Sequence, residues 1–258
     1  MDKVRSTIRQ IYRDWSVEGA PERDLTYGRV LEDVRKHFPT PFHPSGRRYR
    51  FLTPGSGLGR LPWELAQLGF DSEGNEFSFY MLVASSFVLN YVNRIGQYKI
   101  YPFVHSTMNM LASLDNCRSV SVPDVDPSSV ANSNSAFSMA AGDFLEIYET
   151  SSDYDCICCC FFLDTGHNII SYLEKIFSLL VPGGIFIHFG PLLYHFADQF
   201  EHHSIELSWD EVRSVILQLG FEIVSEDSVR NVPYTGNSHS MLSINYNCTY
   251  LVGRKPLA

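Results

Sequence analysis

The segment Phe51-Leu-Thr-Pro-Gly-Ser-Gly-Leu-Gly-Arg-Leu-Pro-Trp-Glu64 narrows most what this chain can become. An apolar run leads into three glycines at alternating positions and then into a helical pattern. Glycine lets the backbone turn sharply and approach a ligand closely, and the helix that follows offers free N–H groups and a partial positive charge at its start. Strand, turn and helix therefore read as the first βα unit of an α/β sheet with a nucleotide-like ligand at the turn. Beyond it, short apolar runs alternate with helix-patterned stretches, as expected of a largely parallel sheet. Strands are expected near 49–54, 70–76, 98–103, 137–143, 154–163, 184–190, 221–229 and 245–253. Helices are expected near 60–69, 77–92, 168–180 and 208–219, the last opened by a Ser208/Glu211 capping box. Residues 2–16 and 21–37 read as two further helices. Three prolines within Pro39-Thr-Pro-Phe-His-Pro44 then break the pattern, which predicts a helical segment at 1–46 ahead of an α/β domain at 47–258. Residues 105–136, with Pro123, Asp124, Asp126, Pro127 and a Ser/Asn run, read as a long surface loop.

Composition removes several function classes. Twenty Lys and Arg stand against 29 Asp and Glu, a net charge of −9, which argues against gripping nucleic acid or an anionic membrane. No apolar run approaches the roughly 18 residues of a membrane span, and Met1-Asp2-Lys3 opens directly into a helical pattern. The expected location is cytoplasmic or nuclear. Cys156, Cys158, Cys159 and Cys160 crowd one apolar run, and Cys156 and Cys159 form a CxxC spacing. No second pair follows, so these cysteines are expected to fill the core of a strand rather than hold a metal. Asn247-Cys-Thr249 matches a glycosylation sequon and is taken as chance.

The glycine spacing selects the ligand. A dinucleotide fingerprint from Gly55 needs glycine at position 60, where this chain has Arg60, and no Lys-Ser/Thr follows to make a phosphate loop. The G-x-G-x-G alternative, Gly55, Gly57 and Gly59, calls for an acid at the end of the next strand to accept the ribose hydroxyls of an adenosine. Glu76 stands there, 21 residues after Gly55. Ala141-Gly-Asp143-Phe144 adds a carboxylate for the adenine amino group and an aromatic ring to stack on the base. The three elements in this order point to S-adenosylmethionine and a methyltransferase.

The chain further resembles the carnosine N-methyltransferase family. The motifs that carry the resemblance are Arg13-Asp-Trp-Ser16, Pro54-Gly-Ser-Gly-Leu-Gly-Arg-Leu61, Gly74-Asn-Glu-Phe-Ser-Phe79, Pro123-Asp-Val-Asp-Pro127, Ala141-Gly-Asp-Phe144, Cys160-Phe-Phe-Leu-Asp-Thr165, Gly190-Pro-Leu-Leu-Tyr-His195 and Arg254-Lys-Pro256. The resemblance implies a Rossmann-like class I methyltransferase fold, a mostly parallel seven-stranded sheet flanked by helices with an N-terminal helical segment, and methyl transfer from S-adenosylmethionine to the imidazole of carnosine, giving anserine and S-adenosylhomocysteine. It implies a cofactor site of Gln10, Arg13, Gly55, Gly57, Glu76, Asp143, Phe144 and Cys160, with Arg13 toward the methionine carboxylate. The helical segment at 1–46 would cover that site. It implies acceptor contacts from Asp164, His195, Tyr234 and Tyr246, a dipeptide substrate, and neither nucleic acid nor membrane as partner; a homodimer stays open. Ser56 departs from the family's usual Ala, and the longer N-terminal helical region of other members is expected to be missing.

An acceptor nitrogen attacking a sulfonium must be neutral and aimed at the methyl carbon. Imidazole, with a pKa near 6.5, is mostly neutral at pH 7, so orientation matters more than a strong base. Asp164 is expected to hold the N–H that is not attacked and to stabilise the imidazolium formed, with His195 and Tyr246 holding the dipeptide. Plainer readings stand beside these. Asp164 also fits an N-cap of the next helix, His195 a partly buried structural histidine, and Tyr234 and Tyr246 packing aromatics of a last hairpin. His167 and His188 read as structural, His202-His203 as a solvated loop. A methyltransferase of histidine in a peptide or protein, or a catalytically silent binding protein of the same fold, are the alternative functions.

Overall fold

Two helices lead the chain, α1 (Asp2–Trp15) and α2 (Ala20–His37), followed by β1 (Arg50–Pro54), α3 (Arg60–Gln67), β2 (Asp71–Glu76) and α4 (Phe79–Tyr91). There follow β3 (Tyr98–Ile100), β4 (Val120–Val122), β5 (Phe137–Ala141), α5 (Phe144–Ile147), β6 (Tyr154–Cys160), α6 (Ile169–Leu179), β7 (Leu180–Gly190), α7 (Trp209–Gln218), β8 (Glu222–Pro233) and β9 (Asn245–Arg254). The computed structural model describes residues 1–149, 152–197, 199 and 203–257.

Seven strands form one sheet in the order β5-β2-β1-β6-β7-β9-β8. Neighbours from β5 to β7 pair in parallel, and β9 runs antiparallel to both β7 and β8. The chain works outward from β1 through β2 to β5, then returns to lay β6 on the other side of β1. That reversal opens a crevice at the carboxyl ends of β1 and β6, where open α/β sheets bind ligands.

Strand β6 shows how the sequence builds both layers. Its side chains alternate between two core clusters: Ile157 and Cys159 pack with Ile169, Leu173 and Ile216, while Cys156 and Cys158 pack with Val30, Leu61 and Leu65. Cys156 and Cys159 thus lie on opposite faces of the sheet, and the CxxC spacing joins nothing. All six cysteines are free, and no cluster of three or more metal-binding side chains occurs among the described residues. The capping box at Ser208 and Glu211 forms as expected. Among the described residues, no helix is long and apolar enough to cross a membrane.

Two expectations change, and a further observation bears on the pattern break. Strand β3 lies outside the main sheet and pairs antiparallel with β4, because Tyr98 and Lys99 are exposed and a central parallel strand needs apolar side chains on both faces. The expected loop at 105–136 is only partly a loop: Val120 and Val122 of β4 pack on Tyr12, and Asp115, Asn116 and Pro127 are buried. The pattern break at 39–46 does not divide two cores. Tyr27, Val30, Val34 and Phe38 share one cluster with Phe51, Ile187 and Tyr250 of the sheet. Of the pair His202-His203, His202 lies outside the described residues; His203 is exposed.

Candidate active site

The glycine turn leaves β1 with Gly55, Gly57 and Gly59 all at positive φ, between 55° and 78°. A Cβ at Gly55 would sit 2.4 Å from the Phe162 ring, whereas one at Gly57 would meet nothing within 4 Å. Gly55 is thus required by packing and Gly57 by the backbone turn beside open space. Glu76 closes the turn from β2. Its Oε2 accepts from the Gly57 amide at 2.8 Å, and its Oε1 from the Phe77 and Ser78 amides at 3.0 and 2.7 Å. Burial raises the Glu76 pKa against the pull of these three amides.

Asp143 ends β5 and caps α5, accepting from the Leu145 amide at 2.7 Å. That cap turns the Phe144 ring inward, where it is 2% exposed and ringed by Tyr148, Phe162 and Tyr172. The stacking expected of Phe144 is therefore corrected: its ring presents no open face. Phe77, beside Glu76, is 74% exposed.

Helix α1 reaches the crevice with Gln10 and Arg13. Arg13 donates from Nε and Nη2 to the buried Asp14 carboxylate at 2.8 and 3.2 Å, and from Nη2 to the Tyr27 hydroxyl at 2.9 Å. Burial works against the Arg13 charge, but Asp14, Tyr27 and Tyr234 outweigh it and hold its pKa above the ordinary value. Nη1 makes no hydrogen bond with the described residues. Gln10 donates to the Tyr234 hydroxyl at 3.0 Å, and its Oε1 is buried without a partner. Cys160, at the end of β6, is half-buried; desolvation pushes its thiol pKa up while the nearby Arg13 charge pulls it down.

Asp164 sits in a short 3-10 turn after β6, 3% exposed, with Oδ2 accepting from the Leu193 amide at 2.7 Å. It is not the cap of α6, a task carried out by Asn168, which accepts from the Ile170 and Ser171 amides. Burial raises the Asp164 pKa, against the Leu193 amide and the His195 ring. Its carbonyl accepts from the His195 amide at 3.0 Å, which fixes that residue's backbone while its side chain is exposed. Tyr246 packs edge-on to Tyr234, ring centroids 5.8 Å apart, and burial, Tyr234 and Asp164 raise its pKa. The Arg13 guanidinium carbon lies 5.5 Å from the Tyr234 ring centroid. The four residues expected to meet the acceptor thus lie toward one end of the crevice, and the Phe161 ring packs 4.9 Å from that of Tyr234 and 6.1 Å from that of Tyr246. His188 is fully buried, bonded to Thr249 and stacked on Trp209, as a structural histidine.

Sequence reasoning passed over the residues that bolt α1 to the glycine turn. Arg60, read only as a missing glycine, donates to the Asp14 carbonyl at 2.9 Å and to Asp124 at 2.6 Å. Arg23 grips the other oxygen of Asp124 at 2.6 Å and the Arg13 and Ser16 carbonyls. The signal was the Pro123-Asp-Val-Asp-Pro127 motif. Phe161, at φ 54°, carries a bulky ring in a backbone region few such residues adopt.

The pattern of the carnosine N-methyltransferase family matches residues 1–257. This chain belongs to that family. The family's Mus musculus carnosine N-methyltransferase is 47% identical over 258 residues, 99% of this chain and 64% of that protein. That of Schizosaccharomyces pombe is 41% identical over 266 residues, 98% and 71% of the two. The chain spans just under two thirds of the mouse protein's length. Among solved structures, a putative sarcosine dimethylglycine methyltransferase from Galdieria sulphuraria superposes with a TM-score of 0.58 at 11% identity, over 89% of this chain and 85% of that one. Magnesium protoporphyrin IX methyltransferase from Synechocystis gives 0.51 at 12% identity, over 93% and 85%. The fold is that of the class I methyltransferases, as the carnosine N-methyltransferase family implies.

Proposed function

We propose that this chain methylates the imidazole of carnosine with S-adenosylmethionine, giving anserine and S-adenosylhomocysteine. The observation that carries the reading is Asp164: a buried carboxylate, anchored through one oxygen, near Tyr246 and not spent on capping a helix.

The residues present fit the cofactor. Open space adjoins Gly57, Glu76 keeps acceptor capacity on Oε2 beyond its single amide, and Gln10 Oε1 is a buried acceptor awaiting a donor. Glu76 would hold the ribose, Asp143 the adenine amino group, and Arg13 with Gln10 the methionine end; Gly55, Gly57 and Cys160 would line the wall. When bound, the cofactor supplies an electrophilic methyl group on a positively charged sulfur.

Everything else falls to the chain. Asp164 accepts the imidazole N–H that is not attacked, selects the tautomer whose other nitrogen faces the methyl carbon, and offsets the positive charge that develops on the ring. Tyr234, Tyr246 and His195 hold the dipeptide, and positioning of this kind is worth up to about 7–11 kcal/mol of barrier. The test is a mass-spectrometric turnover assay with S-adenosylmethionine against carnosine, homocarnosine, free histidine and a histidine-containing peptide. Methylated carnosine as the dominant product is the expected result. Dominant methylation of the peptide would move the acceptor to histidine in a protein, and cofactor binding without turnover would make the chain a silent binder.

A further inference from the structure

Glu22 lies in the first turn of α2 and no part of the proposed chemistry uses it, yet it is 7% exposed and reaches across to the loop that follows β8. Its Oε2 accepts from the Thr235 amide at 2.8 Å, and the Gly236 amide points to the same carboxylate. Two successive amides converging on one anion form an anion-binding nest. The turn they form is strained: Thr235 sits at φ 47°, a left-handed conformation that a β-branched side chain resists. Tyr234 is the next residue back, with its hydroxyl on Gln10 and its ring on Arg13 and Phe161.

We propose that Glu22 is a positioning residue: its carboxylate latches the Thr235–Gly236 turn in a strained conformation and so holds Tyr234 against the acceptor end of the site. The inference rests on the carnosine reading for what Tyr234 touches, but the latch itself is a property of the fold. The charged and titratable groups facing Glu22 are Arg13, whose Nε is 4.0 Å from Oε1, and Asp14 and Tyr12, also on α1; from the 235–236 turn it meets backbone amides. Burial pushes the Glu22 pKa up to about 7, partly offset by Arg13 and the Thr235 amide. The anionic latch therefore weakens as pH falls through about 7.

Three measurements on the full chain test this. Glu22→Ala should raise the acceptor KM about tenfold, or 1.4 kcal/mol, and lower kcat by less than about threefold, with the S-adenosylmethionine Kd unchanged. Adding Thr235→Gly to Glu22→Ala should recover at least half of that loss on a logarithmic scale, because glycine adopts the turn without strain. Hydrogen exchange at the 234–236 amides, measured without acceptor, should quicken about tenfold in Glu22→Ala. Glu22→Gln keeps a neutral oxygen acceptor and should show wild-type exchange at pH 6 with no step between pH 6 and 8. An unchanged KM, a failure of Thr235→Gly to rescue, or unchanged exchange in Glu22→Ala would each overturn the latch. If the wild-type protein leaves carnosine unmethylated, the carnosine reading falls and exchange alone decides the latch.

Discussion

The two halves of the crevice are built by different means. The ribose end of the cofactor half is local: the turn after β1 and the acid ending β2 lie within 22 residues, and Glu76 is held by three backbone amides, while Gln10 and Arg13 reach in from α1. The proposed acceptor half is assembled from side chains brought together from the turn after β6, the segment after β7 and the β8–β9 hairpin, with Phe161, Tyr194 and Thr235 at positive φ. Backbone cradles recur wherever a strand, a glycine turn and a helix recur, so the first half reads as generic. Strained, long-range side-chain contacts are the costly part, and in the proposed reaction they would define which acceptor fits.

Substitutions should separate the halves. Asp164→Ala should have the largest effect, cutting turnover by at least about 10²-fold, roughly 2.7 kcal/mol of barrier, as read by product formation under saturating cofactor. Glu76→Ala should weaken S-adenosylmethionine binding about 30-fold, or about 2 kcal/mol, in a calorimetric titration, because the ribose loses a charged acceptor and the Gly57 amide is stranded. Gly55→Ala should destabilise the fold by about 2 kcal/mol in denaturant unfolding, since a Cβ there meets Phe162 at 2.4 Å at an unfavourable φ. Tyr234→Phe should raise the acceptor KM only about threefold, since the ring stays packed on Phe161 and Tyr246 and only its hydroxyl is lost.

A separate effect is on stability against pH. Glu22 has a folded pKa of about 7 against an ordinary 4.5, so the folded state binds the extra proton between these values. The stability this contributes is complete below pH 4.5 and lost as pH rises through about 7. Glu22→Gln should remove that slope in thermal unfolding between pH 5 and 8. An unaltered slope would mean that the buried carboxylate is not what titrates.

What could be read from sequence follows the same division. Strand–glycine–helix, Glu76 and the Ser208 capping box are each set by a few consecutive residues, and the alternation of Cys and Ile along β6 already spoke for a two-sided core strand. The rest depends on distant partners. Asp124 gains its meaning only from Arg23 and Arg60, 101 and 64 residues earlier in the chain. Position after β5 told that Phe144 lies near the site, but not that the Asp143 cap turns its ring into the core. Strands β3 and β4 are three residues each, too short to carry a periodicity.

The central claim is that one crevice has two separable halves, and the most direct measurement is a crossed binding experiment. Dissociation constants for S-adenosylmethionine alone, and for carnosine in the presence of S-adenosylhomocysteine, would be measured in Glu76→Ala and Asp164→Ala. Weaker cofactor binding in Glu76→Ala alone, and weaker carnosine binding in Asp164→Ala with cofactor binding intact, is the predicted result. Equal loss of both ligands in Asp164→Ala, or carnosine binding untouched by it, would contradict the account.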